Sequence, residues 1–567
     1  MRIFRTFVIA LFTLVLVAPT QSVLAADVPD EQFSLFDSWT KLHPGGQNDK
    51  TVGAWFSDFG YMALAQSSFL VAENSSGQRL CGSLDECSNE KNFYYVAFLP
   101  FCEDGSPTNC IIDVNANDKS GKQIKFSKRT YYSQSAAKVF QGDPKYSLPS
   151  GSTPSVVEFP GLPNSSGANT YSVGVYVIQR FTINDWSTGS FTSTDPVILA
   201  NIAAIDLVKG DYKARATRQI KDSNGRLSLD YIAIGQDINC VVMDTGVCGK
   251  PVAFQDGSSF VLKLRINSKT HGWIHGRLEN GNVSITKEDS NGVELEISGA
   301  PSKIPAVLAE ATIDKFTDAT YNQIIGGNIP PNYGAQNYPP VLQVVASNRG
   351  TFMMNVWKVM QPYMSDKAIA MPYYWSVRSV ERGQVVAAAG QKALDCLYAN
   401  GGDKGKILGF INTNATAYVS GPPTFNEAEQ SLDYSVAAPH YAKDGSVFKG
   451  HYSIQLEANT ARCMFGLHGT NLKATLSILN DKGENNIITS IARENKGWFN
   501  FTVAGFTFSS PTIRLKLEEA PTVTPSPTPT PTTTTASAVK KINCVKGKVK
   551  KVVTGLSPKC PAGFKKG

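Results

Sequence analysis

Four residues in the stretch HGWIHGRL at 271–278 have the types and spacing to hold a sugar. An extended strand sends successive side chains to opposite faces, so His271, Trp273, His275 and Arg277 share one face while Ile274 and Leu278 point the other way. An indole flanked by hydrogen-bond donors offers a flat apolar surface for sugar C–H groups and partners for sugar hydroxyls. The competing expectation is an indole that caps a core edge, with His275 bonded internally, because buried aromatic side chains outnumber binding ones. His271 and His275 would lie roughly 13 Å apart along such a strand, too far to share one metal ion.

Other chemistry is sparse. The chain has no GxSxG, HExxH, phosphate loop or glycine-rich dinucleotide turn. Asp113, Asn115 and Asn117 begin like a calcium loop, but Asp118 stands where glycine is required and Ile124 where the bidentate glutamate belongs, so a polar turn is expected. The carboxylates of a hydrolase come from distant strands and cannot be found by spacing. No catalytic residue, metal or cofactor is assigned.

The elements that must position these residues read as strands. The runs FYYVAFLPF from Phe93 and CIIDVNA from Cys110, with a turn at Asn117–Gly121, predict a β-meander. Tyr171, Val173, Val175 and Val177 alternate with Ser172, Gly174 and Tyr176. Phe260, Leu262, Leu264 and Ile266 repeat the period, as do Val293, Leu295 and Ile297. Such alternation predicts antiparallel sheets covered on one side, hence one or two sandwich or jelly-roll domains over 26–300. Helical spacing appears over 301–392, at Thr317–Ile325 and Gly350–Met364, with Phe352, Val356 and Met360 on one side. From 393 to 518 period two returns at Leu472, Ala474, Leu476 and Ile478, at Phe499, Phe501 and Val503, and at Ile513, Leu515 and Leu517, which suits an immunoglobulin-like sandwich. The expected class is mainly β: antiparallel β-sandwich or jelly-roll domains, a small mixed α/β insertion, a Pro/Thr linker and a short disulfide-stapled basic tail.

Ten cysteines fall in close sets. In an exported chain disulfides are the default, and no CxxC or paired-histidine pattern supports a metal site. Cys81, Cys87, Cys102 and Cys110 allow three connectivities; Cys81 with Cys87 and Cys102 with Cys110 are favoured, the latter flanking a turn at Glu103–Pro107. Cys240 is expected with Cys248, Cys396 with Cys463 as a staple from the first strand of the sandwich to a central one, and Cys544 with Cys560.

The ends of the chain speak of location. Arg2 and Arg5 precede an apolar run from Phe7 to Val17, and small residues close at Val23-Leu24-Ala25, the layout of a signal peptide over 1–25. That run is too short for a permanent span, and no other stretch suits a membrane helix, so the mature chain is expected soluble or wall-bound. At the other end a Pro/Thr tract over 519–538 predicts an extended polyproline spacer. Beyond it, 539–567 carries Lys540, Lys541, Lys546, Lys548, Lys550, Lys551, Lys559, Lys565 and Lys566 with no Asp or Glu, and reads as a hairpin stapled by its cysteines. Setting aside these nine and Arg2 and Arg5 of the leader leaves 43 basic residues against 47 acidic ones, so the body carries −4 and the tail +9. Clustered lysine attracts polyanions, which points to anionic cell-wall polymers or glycans. Nucleic acid is not expected, because aromatic and basic residues do not interleave.

This tail resembles one on secreted proteins of actinobacteria that reads Thr-Cys-Val-Lys-Gly-Lys, a gap, then Pro-Lys-Cys-Pro-x-Gly-Tyr-Lys-Lys after a Pro/Thr- or Ser-rich linker. The matching residues are Cys544–Lys548 and Pro558–Lys566, with Asn543 in place of Thr and Phe564 in place of Tyr. Ala461-Arg462-Cys463, Gly497-Trp498 and the run from Gly505 to Ile513 are also similar to modules of those proteins. The resemblance implies retention at the surface. The expected function is adhesion or glycan binding by a secreted, wall-associated, non-enzymatic protein; the alternative is a secreted hydrolase of polysaccharide or peptidoglycan.

Overall fold

The computed structural model describes residues 29–33, 51–58, 68–102, 109–132, 140–213, 217–231, 240–266, 272–289, 292–325, 341–345, 351–469, 472–479, 485–492, 494–508, 511–519, 540–555 and 557–567. The expected leader, the Pro/Thr tract, the turn expected at Glu103–Pro107 and His271 lie outside them. The fold is mainly β, 53% strand against 14% helix. No helix among the described residues is long and apolar enough to cross a membrane. Residues up to Glu519 form one compact unit and those from Ala520 a second.

The strands and helices that matter for the site are, in chain order, β1 (Thr51–Phe56), β2 (Asn92–Phe98), β3 (Cys110–Asn117), β4 (Thr170–Asp185), β5 (Val197–Lys209), β6 (Ser259–Ile266), β7 (Trp273–Asp289), β8 (Gly292–Lys303), β9 (Val307–Thr312), α1 (Asp318–Ile325), β10 (Val341–Val345), α2 (Phe352–Met360), β11 (Tyr373–Ser379), α3 (Gln391–Ala399), β12 (Gly409–Thr413), β13 (Ser431–Ala437), β14 (Gly450–Glu457), α4 (Ala458–Phe465), β15 (Leu472–Leu479), β16 (Trp498–Phe506) and β17 (Thr512–Glu519).

One sheet runs through most of the body. β2 pairs antiparallel with β4, β4 with β5, β5 with β11 and β11 with β7. β7 then pairs in parallel with β12, which pairs antiparallel with β14, and β14 with β16. The expected boundaries near 300 and 393 are therefore crossed by backbone pairing: β11, from the helical segment, lies between strands of the N-terminal region, and β12 extends the same sheet into the C-terminal one. The seventeen-residue β7 serves two sheets. Its first residues, Trp273–Arg277, pair with β11 and β12, and from Leu278 onward it pairs with β8. The register slips between Glu279 and Asn282, and such a bulge is how a strand turns a corner between sheets. Gly281 sits in that bulge because a Cβ there would lie 2.7 Å from the Asn412 side chain.

The second N-terminal sheet, β3–β6–β8, faces the first across a shared core. The period-two residues supply it: Tyr171, Val173 and Val175 of β4 meet Phe260, Leu262 and Leu264 of β6, with Phe260 5.4 Å from Tyr171, ring centre to ring centre. The C-terminal sandwich is built likewise. Leu472, Ala474 and Leu476 of β15 with Ile513, Leu515 and Leu517 of β17 pack on Ile454 and Leu456 of β14 and Phe499 and Phe501 of β16. One of its two layers is thus the continuation of the N-terminal sheet.

The helices expected from spacing form at α1 and α2. Their apolar sides, with Met353, Val356, Trp357 and Met360, cover a small sheet in which β1 pairs antiparallel with β9 and in parallel with β10. Five disulfides join Cys81–Cys87, Cys102–Cys110, Cys240–Cys248, Cys396–Cys463 and Cys544–Cys560. The Cys396–Cys463 bridge does not staple two strands: it ties α3 to α4, both of which break the β period with runs of helix-forming residues.

The second unit is a three-stranded sheet, β18 (Lys540–Lys546) between β19 (Val549–Gly555) and β20 (Lys565–Lys566). Gly547-Lys548 make the tight turn, and Gly547 takes φ 57°, where a side chain is disfavoured. Cys544, fully buried, is tied to Cys560 at its centre.

Candidate functional sites

The HGWIHGRL stretch forms the start of β7, and the alternation predicted for it is present. Its polar face is nonetheless buried. Trp273 is 1% exposed, and His275 and Arg277 are each 3% exposed; His271 lies outside the described residues. The expected stacking surface for sugar is absent because β13 and the chain from Thr413 to Gly421 cover this face. The Trp273 indole packs into the C-terminal core and lies so close over Gly409 of β12 that a Cβ there would be 2.1 Å from the ring.

Three adjacent strands place the polar side chains together. Register pairs His275 with Arg378 and Arg378 with Leu199, then Arg277 with Ser376 and Ser376 with Asn201. Residues paired across a ladder share a face, so His275, Arg277, Ser376, Arg378 and Asn201 project to one side, whereas Ile274, Val377 and Ala200 enter the N-terminal core. The chain just after β1 supplies Asp58, 4% exposed, whose Oδ2 accepts a charge-assisted bond from Arg277 Nε. Arg277 Nη1 donates to the carbonyls of Thr413 at 2.8 Å and Ala415 at 2.7 Å. The guanidinium lies 4.2 Å from the centre of the Tyr418 ring, a cation–π contact strengthened by the exclusion of water.

His275 Nε2 lies 2.9 Å from the Gly421 carbonyl and must carry the proton, because a carbonyl only accepts. Tyr434 gives its hydroxyl hydrogen to the Val419 carbonyl at 2.7 Å, which leaves the 3.3 Å contact with His275 Nδ1 as the weaker one. Burial, then the neighbouring Arg378 and Arg277, hold the His275 pKa well below its ordinary value of 6.5. Burial is the largest influence on Arg277 and disfavours its charge, but Asp58 together with Tyr418 and Tyr434 more than offsets it, so its pKa is raised. The centre is thus a buried ion pair beside a neutral histidine. Asp58, 219 residues from Arg277, left no pattern in the sequence. Arg378 did: Tyr374, Ser376 and Arg378 alternate with Trp375 and Val377, a polar face on an apolar strand.

The tail unit presents a different surface. Register puts Lys546, Lys551 and Lys566 on the face of Cys544, and Lys541, Lys550 and Lys565 on the other. Those six side chains are exposed, as are Lys548 in the turn and Lys559; the backbone of Lys540 begins β18 and its side chain is outside the described residues. Lys551 Nζ lies 5.7 Å from the Phe564 ring centre. With lysine on both faces and no Asp or Glu from Ala520 onward, the unit is positive all round. Among the described residues no group of three or more His, Cys, Asp or Glu is placed to hold a metal ion. A scan against protein-family models finds no match for this chain, and a search of curated proteins finds none either.

Two outcomes are expected of the buried centre. Asp58→Leu strands Arg277 without its carboxylate and should cost about 3–5 kcal/mol of stability in urea denaturation. Adding Arg277→Met should recover much of that loss; a double variant as unstable as the sum of the singles would show that the pair is not the coupled unit described. The second concerns pH. The unfolded chain protonates His275 as pH falls through about 6.5, whereas the folded chain resists it, so the stability is full above that value and is lost below it, down to the depressed folded pKa, at roughly 1.4 kcal/mol per pH unit. His451, its pKa also lowered by burial, adds a slope of the same sign. Denaturation midpoints between pH 7.5 and 5 should therefore fall less steeply in His275→Gln than in the parent chain, and equal slopes would contradict the assignment.

Proposed function

We propose that this is an exported, surface-retained protein whose tail holds it to anionic polymers of the cell wall while the β-rich body is displayed for adhesion or glycan binding. The observation that carries this reading is the tail sheet, with exposed lysine on both faces and no acidic residue to neutralise it. A unit charged on both faces needs no fixed orientation to meet a polyanion, which suits a flexible, repetitive partner better than a shaped one. The body, net acidic by the count above, is repelled by the same polymers, so attraction belongs to the tail. Five disulfides suit an oxidising location. The buried HGWIHGRL face gives no support to sugar stacking on Trp273, so a glycan-binding surface of the body would lie elsewhere.

Charge attraction between exposed groups is screened over about 8 Å at physiological salt and about 3 Å at 1 M. The full chain should therefore elute from purified wall as salt is raised toward 1 M. A chain ending at Glu519 should keep its folded body and lose most wall retention. Retention that survives high salt, or that the shortened chain keeps in full, would rule out a charge tether.

A further inference from the structure

The second sheet of the C-terminal sandwich ends on an open strand. Its order runs from β13 to β17 to β15 and then to the strand Asn485–Ala492, which pairs with β15 on one side and, among the described residues, with no strand on the other. Such an edge offers a row of N–H and C=O groups to any strand that comes near, and folded proteins guard it with lysine, proline, a bulge or brevity. None of these guards is present here. The strand is eight residues long, and its sequence NNIITSIA holds no charged residue, proline or glycine. Its register with β15 runs without a slip from Asn485 opposite Leu479 to Ala492 opposite Leu472. The outer strand of the tail, by contrast, carries Lys550 and Lys551.

Register also says what the edge presents. Ile487, Thr489 and Ile491 take the positions opposite Ser477, Thr475 and Lys473, on the face turned away from the core that Leu472, Ala474, Leu476 and Ile478 build. Two isoleucine positions therefore fall on the solvent face of an unguarded edge. The flanking charges select the partner. Glu484 immediately precedes the strand and Arg493 immediately follows it. When two copies pair antiparallel, the acidic end of each meets the basic end of the other, whereas a parallel stack sets like charge beside like. Antiparallel pairing of identical strands is two-fold symmetric, so it closes at two copies and uses up both edges.

We infer that this edge is a self-association surface, through which two copies of the chain pair antiparallel along Asn485–Ala492 and join their C-terminal sheets into one. The closed pair satisfies the exposed backbone row that would otherwise template open-ended growth. It also carries two basic tails, which makes retention on a polyanion bivalent; that consequence rests on the proposed role of the tail, while the pairing does not.

Sedimentation velocity of the full chain over a concentration series should show monomer and dimer and nothing larger. Hydrogen exchange of amides in 485–492 should slow as concentration rises, because the outward N–H groups of an edge strand gain partners only on pairing. Ile487→Lys combined with Thr489→Lys sets like charges across the two-fold on the face away from the core. That variant should lose the dimer and keep the Tm of the monomer. A parent chain that stays monomeric, with exchange in 485–492 independent of concentration, would overturn the proposal. A dimer undiminished in the double-lysine variant, or species that grow without limit as concentration rises, would overturn it as well. No wall material enters these measurements, so their failure would leave the proposed role of the tail standing.

Discussion

An arginine stays protonated at any pH a protein survives, so burying Arg277 obliges the fold to bring a carboxylate to it, and that obligation ties distant parts of the chain together. The carboxylate comes from Asp58, at the end of the first strand of the small helical layer; two carbonyls come from the segment after β12; the aromatic face comes from Tyr418. None of these neighbours is close to Arg277 in sequence. The pair gains nothing over well-packed apolar residues in the usual accounting, yet losing one member is severe. It joins the N-terminal sheet, the helical layer and the C-terminal sandwich at one buried point.

The two basic clusters of this chain show how burial decides what a charge does. Arg277 and Arg378 sit in the interior, where each contact is strong and geometry is fixed. The tail lysines stand in water, where each is worth little and only their number counts. A stapled sheet that small has no room to bury its charges, and the Cys544–Cys560 bridge supplies what a core would otherwise provide. The separation of roles, ordered interior charge in the body and unordered surface charge in the tail, underlies the proposed division between display and retention.

Much of the fold was legible in the sequence, because period two reports which residues share a face. Leu472, Ala474, Leu476 and Ile478 are all buried as alternation required, and α1 and α2 formed where helical spacing stood. What alternation does not report is which layer covers a face. The polar side of HGWIHGRL left two readings, a sugar platform and a core edge with His275 bonded internally, and the second is what formed; alternation alone did not decide it because the covering residues, Asp58 and Tyr418, lie far away in sequence. Domain limits failed to appear for a related reason: Tyr373–Ser379 is a short strand among helices, and nothing local says that it will be inserted between β5 and β7. The exposed lysines of the tail were legible, since an exposed charge needs no partner to define it.

Joined through β11, β7 and β12 around the buried pair, the body from Thr51 to Glu519 should behave as one cooperative structure. Native-state hydrogen exchange of the full chain, read by mass spectrometry, addresses it most directly. Amides of β7, β11 and β12 and those of β14 and β15 should be lost in the same opening, with one free energy and one dependence on denaturant. Slow exchange in β4–β5 alongside an independent, lower-energy opening of 409–519 would show two domains that merely touch, and would contradict it.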